Sequence, residues 1–382
     1  TGTLDIDNDI EIDGDITISG NATIDIANGK TLNYDGASLA IGANTLTFTG
    51  GTGANDEGTF DNANALTLST GQITVTNNVE IDGDITMSGN ATISIANGKT
   101  LDYDGASLAI GANTLTLTGG TGASDEGTFD NANAITLSTG TLDVDNNVEI
   151  DGNITISDDA TFDIASGKTL DYDGDQIDIG DNALSIIGGG TITNANNITL
   201  SHANSLLNIK TNASATIAKV STSANVTGTS KGVDIDVNAT ITTLTVSHTC
   251  PVLIKTGVTL SGSVSIKAGK VNLTETGTLA ADLEFTGDTS ATNCTLDVDV
   301  DVTMSGDLSV AGTGTVCILD VANGKTLTYS GAAFAISTYT LRLTGGTGAN
   351  DEGTLTNTNA LTFSTGTLDV DNNFEIDGPI TI

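Results

Sequence analysis

Three nine-residue loops carry the densest chemistry in this chain. GGTGANDEG at Gly50–Gly58 and Gly345–Gly353, and GGTGASDEG at Gly119–Gly127, each place two acids side by side: Asp56-Glu57, Asp351-Glu352 and Asp125-Glu126. Paired carboxylates beside a glycine-rich stretch with free carbonyls are the oxygen donors that a hard cation such as Ca²⁺ takes. The other reading is a solvated loop whose acids serve solubility. A second acidic pattern runs through Asp5, Asp7, Asp9, Glu11, Asp13 and Asp15, interleaved with isoleucines. Period two puts these acids on one face of a strand, the wet one. An EF-hand loop opening at Asp9 needs Glu at its twelfth position, and Gly20 stands there. Catalytic groups are sparse: one arginine (Arg342), two isolated histidines (His202 and His248) and no tryptophan. No acid/base pair, nucleophile triad or zinc set emerges, so no enzyme activity and no catalytic residue is expected.

The elements that position these acids belong to a repeat. Asn78–Asn146 nearly duplicates Asp9–Asn77, 69 positions earlier. Within it, apolar residues come in pairs two apart: Val79/Ile81, Ile85/Met87, Ile93/Ile95, Leu101/Tyr103, Leu108/Ile110, Leu115/Leu117, then Phe129 alone, Ile135/Leu137 and Leu142/Val144. Such pairs make nine short strands separated by Asp-Gly, Asn-Gly and Thr-Gly turns, with no helical periodicity. The third copy keeps register to Leu184, then loses six residues where the glycine-rich loop would lie. The underlying period is therefore 63, or about 21 residues for each of three coils, which is the arithmetic of a parallel β-solenoid with three strands per coil. One solenoid is expected over 1–382. Residues 1–200 form regular repeats, 201–300 are degenerate and more basic, and the unit returns over 301–382. The separation of Cys294 and Cys317 is close to one coil. They are therefore candidates for a disulfide or for small core residues.

The net charge of −37 excludes nucleic acid as a partner, favours solubility and attracts cations. No apolar run is long enough for a membrane-spanning helix, so no membrane insertion is expected from this segment. Thr1–Ile18 and Thr365–Ile382 match in repeat phase, and more sequence, or a partner molecule, is expected beyond at least one end. Among the N-x-[ST] sequons, Asn21 and Asn90 are candidate glycosylation sites.

The strandlet period, the NGKTL turns at Asn28–Leu32, Asn97–Leu101 and Asn323–Leu327, and the Thr/Asn/Gly/Asp-rich composition resemble extracellular right-handed β-helix repeat proteins. These are haemagglutinin- and autotransporter-like adhesins and other bacterial surface fibre proteins. The GGTGAND loops are similar to the GGxGxD turn of calcium-binding RTX repeats, with one extra residue before Asp and only one copy per three coils. The resemblance implies an extracellular, cell-surface structural protein. The expected role is a filament or stalk segment assembled from copies of itself, end to end and laterally. The alternative is a carbohydrate- or surface-binding adhesin whose binding segment is 201–300. An ice-binding solenoid would need Thr-x-Thr rows on every coil. Sequences such as Thr114-x-Thr116-x-Thr118 recur only once per three.

Overall fold

Alternating apolar and polar residues over three to five positions give strands too short to bury anything alone. In the computed structural model they stack into a parallel β-solenoid of about 15 turns. No helix occurs among the described residues, which are all except 53–56, 122–125, 211–214, 288–292, 312–315, 337 and 348–351. Contacts divide the chain into two units: Thr1–Ile177 with Leu184–Asn196, and Asp178–Ala183 with Asn197–Ile382.

In the first unit one coil runs through Ala91–Ile95 on a first face, Thr100–Tyr103 on a second and Leu108–Gly111 on a third, and Thr114–Thr118 opens the next. The nine expected strandlets are nine strands, from Val79–Ile81 to Thr141–Val144. Coil length is less uniform, and on average greater, than the repeat arithmetic implies. On the second face Ile10 pairs with Leu32, Leu32 with Phe60 and Phe60 with Ile81. The middle step, which contains the glycine-rich loop, is the longest of the three. The spacing is near 24 residues overall, because in the regular repeats one coil in three carries that loop and the other turns vary. Where the third copy lacks part of the loop, Tyr172 pairs with Asn194, a shorter step than the one from Tyr103 to Asn131. The excision shortens one corner and leaves the pairing intact.

Register adds to the threonine pattern a single row that the sequence does not display. On the first face Thr3, Thr23, Thr47, Thr74, Ser94 and Thr118 lie side by side in successive coils. The hydroxyl row is continuous because strands of different sequence align, which no single repeat reveals.

The inward residues recur layer by layer. Leu101, Tyr103, Leu108, Ile110, Leu115 and Phe129 are fully buried, and each large aliphatic contributes about 1.5–3 kcal/mol by leaving water. Tyr103 stacks on Phe129 with ring centroids 6.1 Å apart. Its hydroxyl accepts from the Ile85 N–H of the preceding coil (3.0 Å) and donates to the Ala106 carbonyl (2.7 Å). Tyr34, Tyr172 and Tyr329 repeat both bonds. Each tyrosine thus satisfies a backbone group where the chain rounds the corner between second and third faces.

In the second unit that corner is lost from three coils. Ala215–Thr222, Ala239–Val246 and Thr259–Ile266 are single eight-residue strands. Thr259–Ile266 then pairs with two separate strands, Thr278–Leu279 and Asp282–Phe285. The Asp-Gly turn that divides the faces elsewhere is absent here, which is why the repeat fades over 201–300.

Replacing Tyr103 by Phe leaves the Ile85 N–H without its partner at a cost of about 1–3 kcal/mol. Hydrogen exchange at the Ile85 amide should accelerate accordingly while the Ile154 amide, bonded to Tyr172, stays protected. Equal protection of both would contradict the assigned role.

Candidate functional site

The strongest concentration of ionisable groups lies on the outer second face of the first unit. Alternation turns Val79 and Ile81 inward and Glu80 outward. Asp82 follows where the strand ends, its N–H bonded to the Phe60 carbonyl. Ile81 pairs with Tyr103 of the next coil, so Asp82 comes beside Asp104. Carboxylate oxygens of Glu80, Asp82 and Asp104 lie within 4.8 Å of one another. Glu11/Asp13/Asp35 and Glu149/Asp151/Asp173 form the same arrangement. Beside them runs the register row Glu80, Asp102, Asp130. A cleft of about 260 Å³ is lined by Glu57, Asp102, Asp130, Glu149 and Asp151.

Crowding and partial burial raise the proton affinity of these acids. Asp82 is pushed up to about 6 by burial and then by the charges of Glu80, Asp61 and Asp104. Asp102 rises to about 6 through burial and the charges of Asp104, Asp130, Glu80 and Glu57. Asp151 does the same through burial and Glu149, Asp130, Asp173 and Asp171. Hydroxyls offset this locally: Thr59 Oγ1 donates to Glu80 Oε2 (2.7 Å) and Thr128 Oγ1 to Glu149 Oε2 (2.8 Å). Like charges one coil apart repel, so the face takes up protons. Its oxygens are the donor type suited to a hard divalent cation.

The acids expected in the glycine-rich loops fare differently. Asp56, Asp125 and Asp351 lie outside the described residues. Glu57, Glu126 and Glu352 are half-buried. Their carbonyls accept from the Gly29, Gly98 and Gly324 N–H groups of the NGK turns, at 3.0–3.1 Å. At the other end of each loop the Asn78, Asn147 and Asn373 N–H groups bond to the Gly51, Gly120 and Gly346 carbonyls. Both loop ends are therefore tied to neighbouring coils. Glu57 is brought to the acidic cleft, which sequence spacing did not foresee. The Glu80/Asp82/Asp104 trio was also missed: its signal is an E-I-D and a Y-D-G placed one second-face step apart.

Asp9 and Asp15 are more than a wet face. Asp9 Oδ1 accepts from the Thr31 N–H (3.2 Å) and Asp15 Oδ1 from Ala37 (2.8 Å), each one coil on. Asn78 and Asn147 repeat the first bond, Asp84 and Asn153 the second. Asn21 and Asn90 are exposed, and each Oδ1 accepts from a first-face threonine N–H, Thr45 and Thr114. Cys294 and Cys317 are stacked neighbours as expected, but they are buried thiols and form no disulfide, as is Cys250. Residues opposite one another on parallel strands present parallel Cβ bonds about one strand spacing apart, wider than the ~3.8 Å a disulfide prefers. Burial, and for Cys317 the neighbouring Cys294, push the thiols of Cys250 and Cys317 up to about 12, which makes them inert. Arg342 is engaged by Asp369 and Asp371 of the following coil, at 3.0 and 3.2 Å.

Compared with known families, curated proteins and solved structures, the chain has no match.

The pH dependence follows from the raised carboxylates. Their folded affinity for protons exceeds the unfolded value of 3.8, so the folded state holds more protons between pH 4 and 6. The stabilisation they give is present in full below about pH 4 and is lost as pH rises through 6. Melting temperature should therefore rise as pH is lowered from 7.5 to 5. The triple replacement Asp82→Asn, Asp102→Asn, Asp151→Asn should flatten that rise, and an unchanged slope would contradict the assignment.

Proposed function

We propose that this chain is a length-building segment of an extracellular filament or cell-surface stalk, extended by stacking one solenoid coil upon another, with no catalytic role. The observation that carries this reading is the return of the same buried layer in each long repeat unit. The same inward Leu and Tyr return at equivalent positions in Leu32/Tyr34, Leu101/Tyr103, Leu170/Tyr172 and Leu327/Tyr329. A coil so built is completed only by another coil of its kind, so the repeat specifies extension.

The outermost coils of this sequence leave open what the inner coils close. Val370 is 50% exposed and Ile10 43%, while their repeat equivalents Val144 and Val79 are fully buried. The strand Gly2–Ile6 pairs on one side only, with Ala22–Ile26, and Thr367–Val370 pairs only with Thr340–Thr344. Such edges accept a matching strand from an adjoining chain segment or a second copy. The acidic outer face keeps assembled material soluble. The adhesin and surface-fibre character suggested by composition and turn pattern, the extracellular setting and any lateral contacts between copies are part of this reading.

Electron microscopy of the chain over a range of concentrations tests it. Filaments should lengthen with concentration, and Leu368→Pro, which puts a proline into the exposed edge, should stop growth at short rods. Short, uniform particles at every concentration would overturn the proposal.

A further inference from the structure

The second unit contains a cleft that a purely length-building role does not need. Between Leu108–Gly111 and Thr114–Thr118 the chain turns from third to first face in two residues; between Ala215–Thr222 and Gly232–Ile235 it takes nine. That excursion is firmly held. Val226 is fully buried and its N–H bonds to the Thr249 carbonyl (2.8 Å). The Thr227 and Gly228 N–H groups share the Ala203 carbonyl, at 3.0 and 2.9 Å. Ser230 has φ +55°, a left-handed conformation that costs a residue with a side chain free energy and that clusters at binding sites.

The loop overhangs an unusual patch of the first face. Regular coils place Thr92, Ser94, Thr116 and Asp143 outward; here Cys250, Val252 and Ile254 face the core, and Pro251 and Leu253 face out. Leu253 is nonetheless only 8% exposed. Gly232, beside Pro251 in the previous coil, has φ +104°, and a Cβ there would lie 2.3 Å from the Pro251 carbonyl oxygen. In the next coil Asn272 pairs with Pro251. Its Oδ1 is buried with no hydrogen-bond partner. The space enclosed is about 440 Å³, with Lys231 and Glu275 also on its lining.

We propose that this cleft binds a neutral saccharide of one or two rings. Its volume falls within the range of small-ligand sites. Pro251 and Leu253 offer an apolar plate for the C–H face of a sugar ring. Asn272 also lines the wall, and a carboxamide N–H there is a donor for a ring hydroxyl. Thr227, Thr229 and Ser230 add hydroxyls along the wall. A phosphate-bearing ligand fits poorly, since Lys231 is offset by Glu275. An extended peptide fits poorly too, because the floor strand Cys250–Ile254 is already paired on both sides and offers no free edge.

The test is an array of neutral gluco-, galacto-, manno- and N-acetylhexosamine oligosaccharides, followed by titration of the bound sugar. The full chain is produced without N-glycosylation, because Asn272-Leu273-Thr274 is itself a sequon. At least one series should bind. Asn272→Ala should weaken it by about tenfold or more, and Thr229→Trp, an exposed loop position, should block the cleft and abolish binding. No neutral sugar bound, binding that survives Thr229→Trp, or capture of extended peptides alone would each overturn the proposal. The assay needs only dispersed protein, so its outcome is separate from that of filament growth.

Discussion

Each coil can satisfy its backbone only against the coils before and after it, and this holds at the corners as well as along the strands. Strands pair in register automatically; corners do not, and a buried N–H left over there costs as much as a broken hydrogen bond. The chain meets this constraint with side chains. Asp9, Asn78 and Asn147 serve one corner, Asp15, Asp84 and Asn153 another, and Asn21 and Asn90 a third, each accepting an N–H one coil away. The tyrosine hydroxyls do the same from inside. Much of the Asp and Asn in this composition is therefore coil-to-coil fastening, and Asp substitutes for Asn at these posts because both carry the needed oxygen.

What could be read from the sequence was whatever is local. Apolar residues two apart announced each strand, and the shortened loop of the third repeat marked the glycine-rich segment as separable from the scaffold. Contacts between coils were less legible because register depends on turn lengths that no pattern states. The hydroxyl row from Thr3 to Thr118 joins strands of unlike sequence. The Glu80/Asp82/Asp104 trio needs the length of the second-face step to be known. The fused strands of 215–266 arise from missing turns, an absence that reads only as fading periodicity. Cys294 and Cys317 were placed correctly as neighbours, yet parallel stacking aligns their side chains without turning them toward each other.

The acids that do not fasten coils accumulate as ladders, because a repeated sequence stacks every charge on its own copy. Repulsion within a ladder is offset by the buried layer beneath it and relieved by protons or cations. The same charge discourages the open edges of a long sheet structure from pairing at random. Stability and solubility thus pull in opposite directions on one face. The second unit relaxes the pattern, gaining lysines, an outward proline and leucine and an overhanging loop where strict repetition lapses.

The central claim is that the long repeat builds length and little else. Inserting a second copy of Asn78–Asn146 directly after Asn146 tests it, with particle length measured by small-angle scattering or microscopy. Three more coils at one strand spacing each should lengthen the particle by about 14 Å, with the β-sheet signal per residue unchanged. A chain that keeps its original length, or one in which the added repeat remains unfolded, would contradict the account.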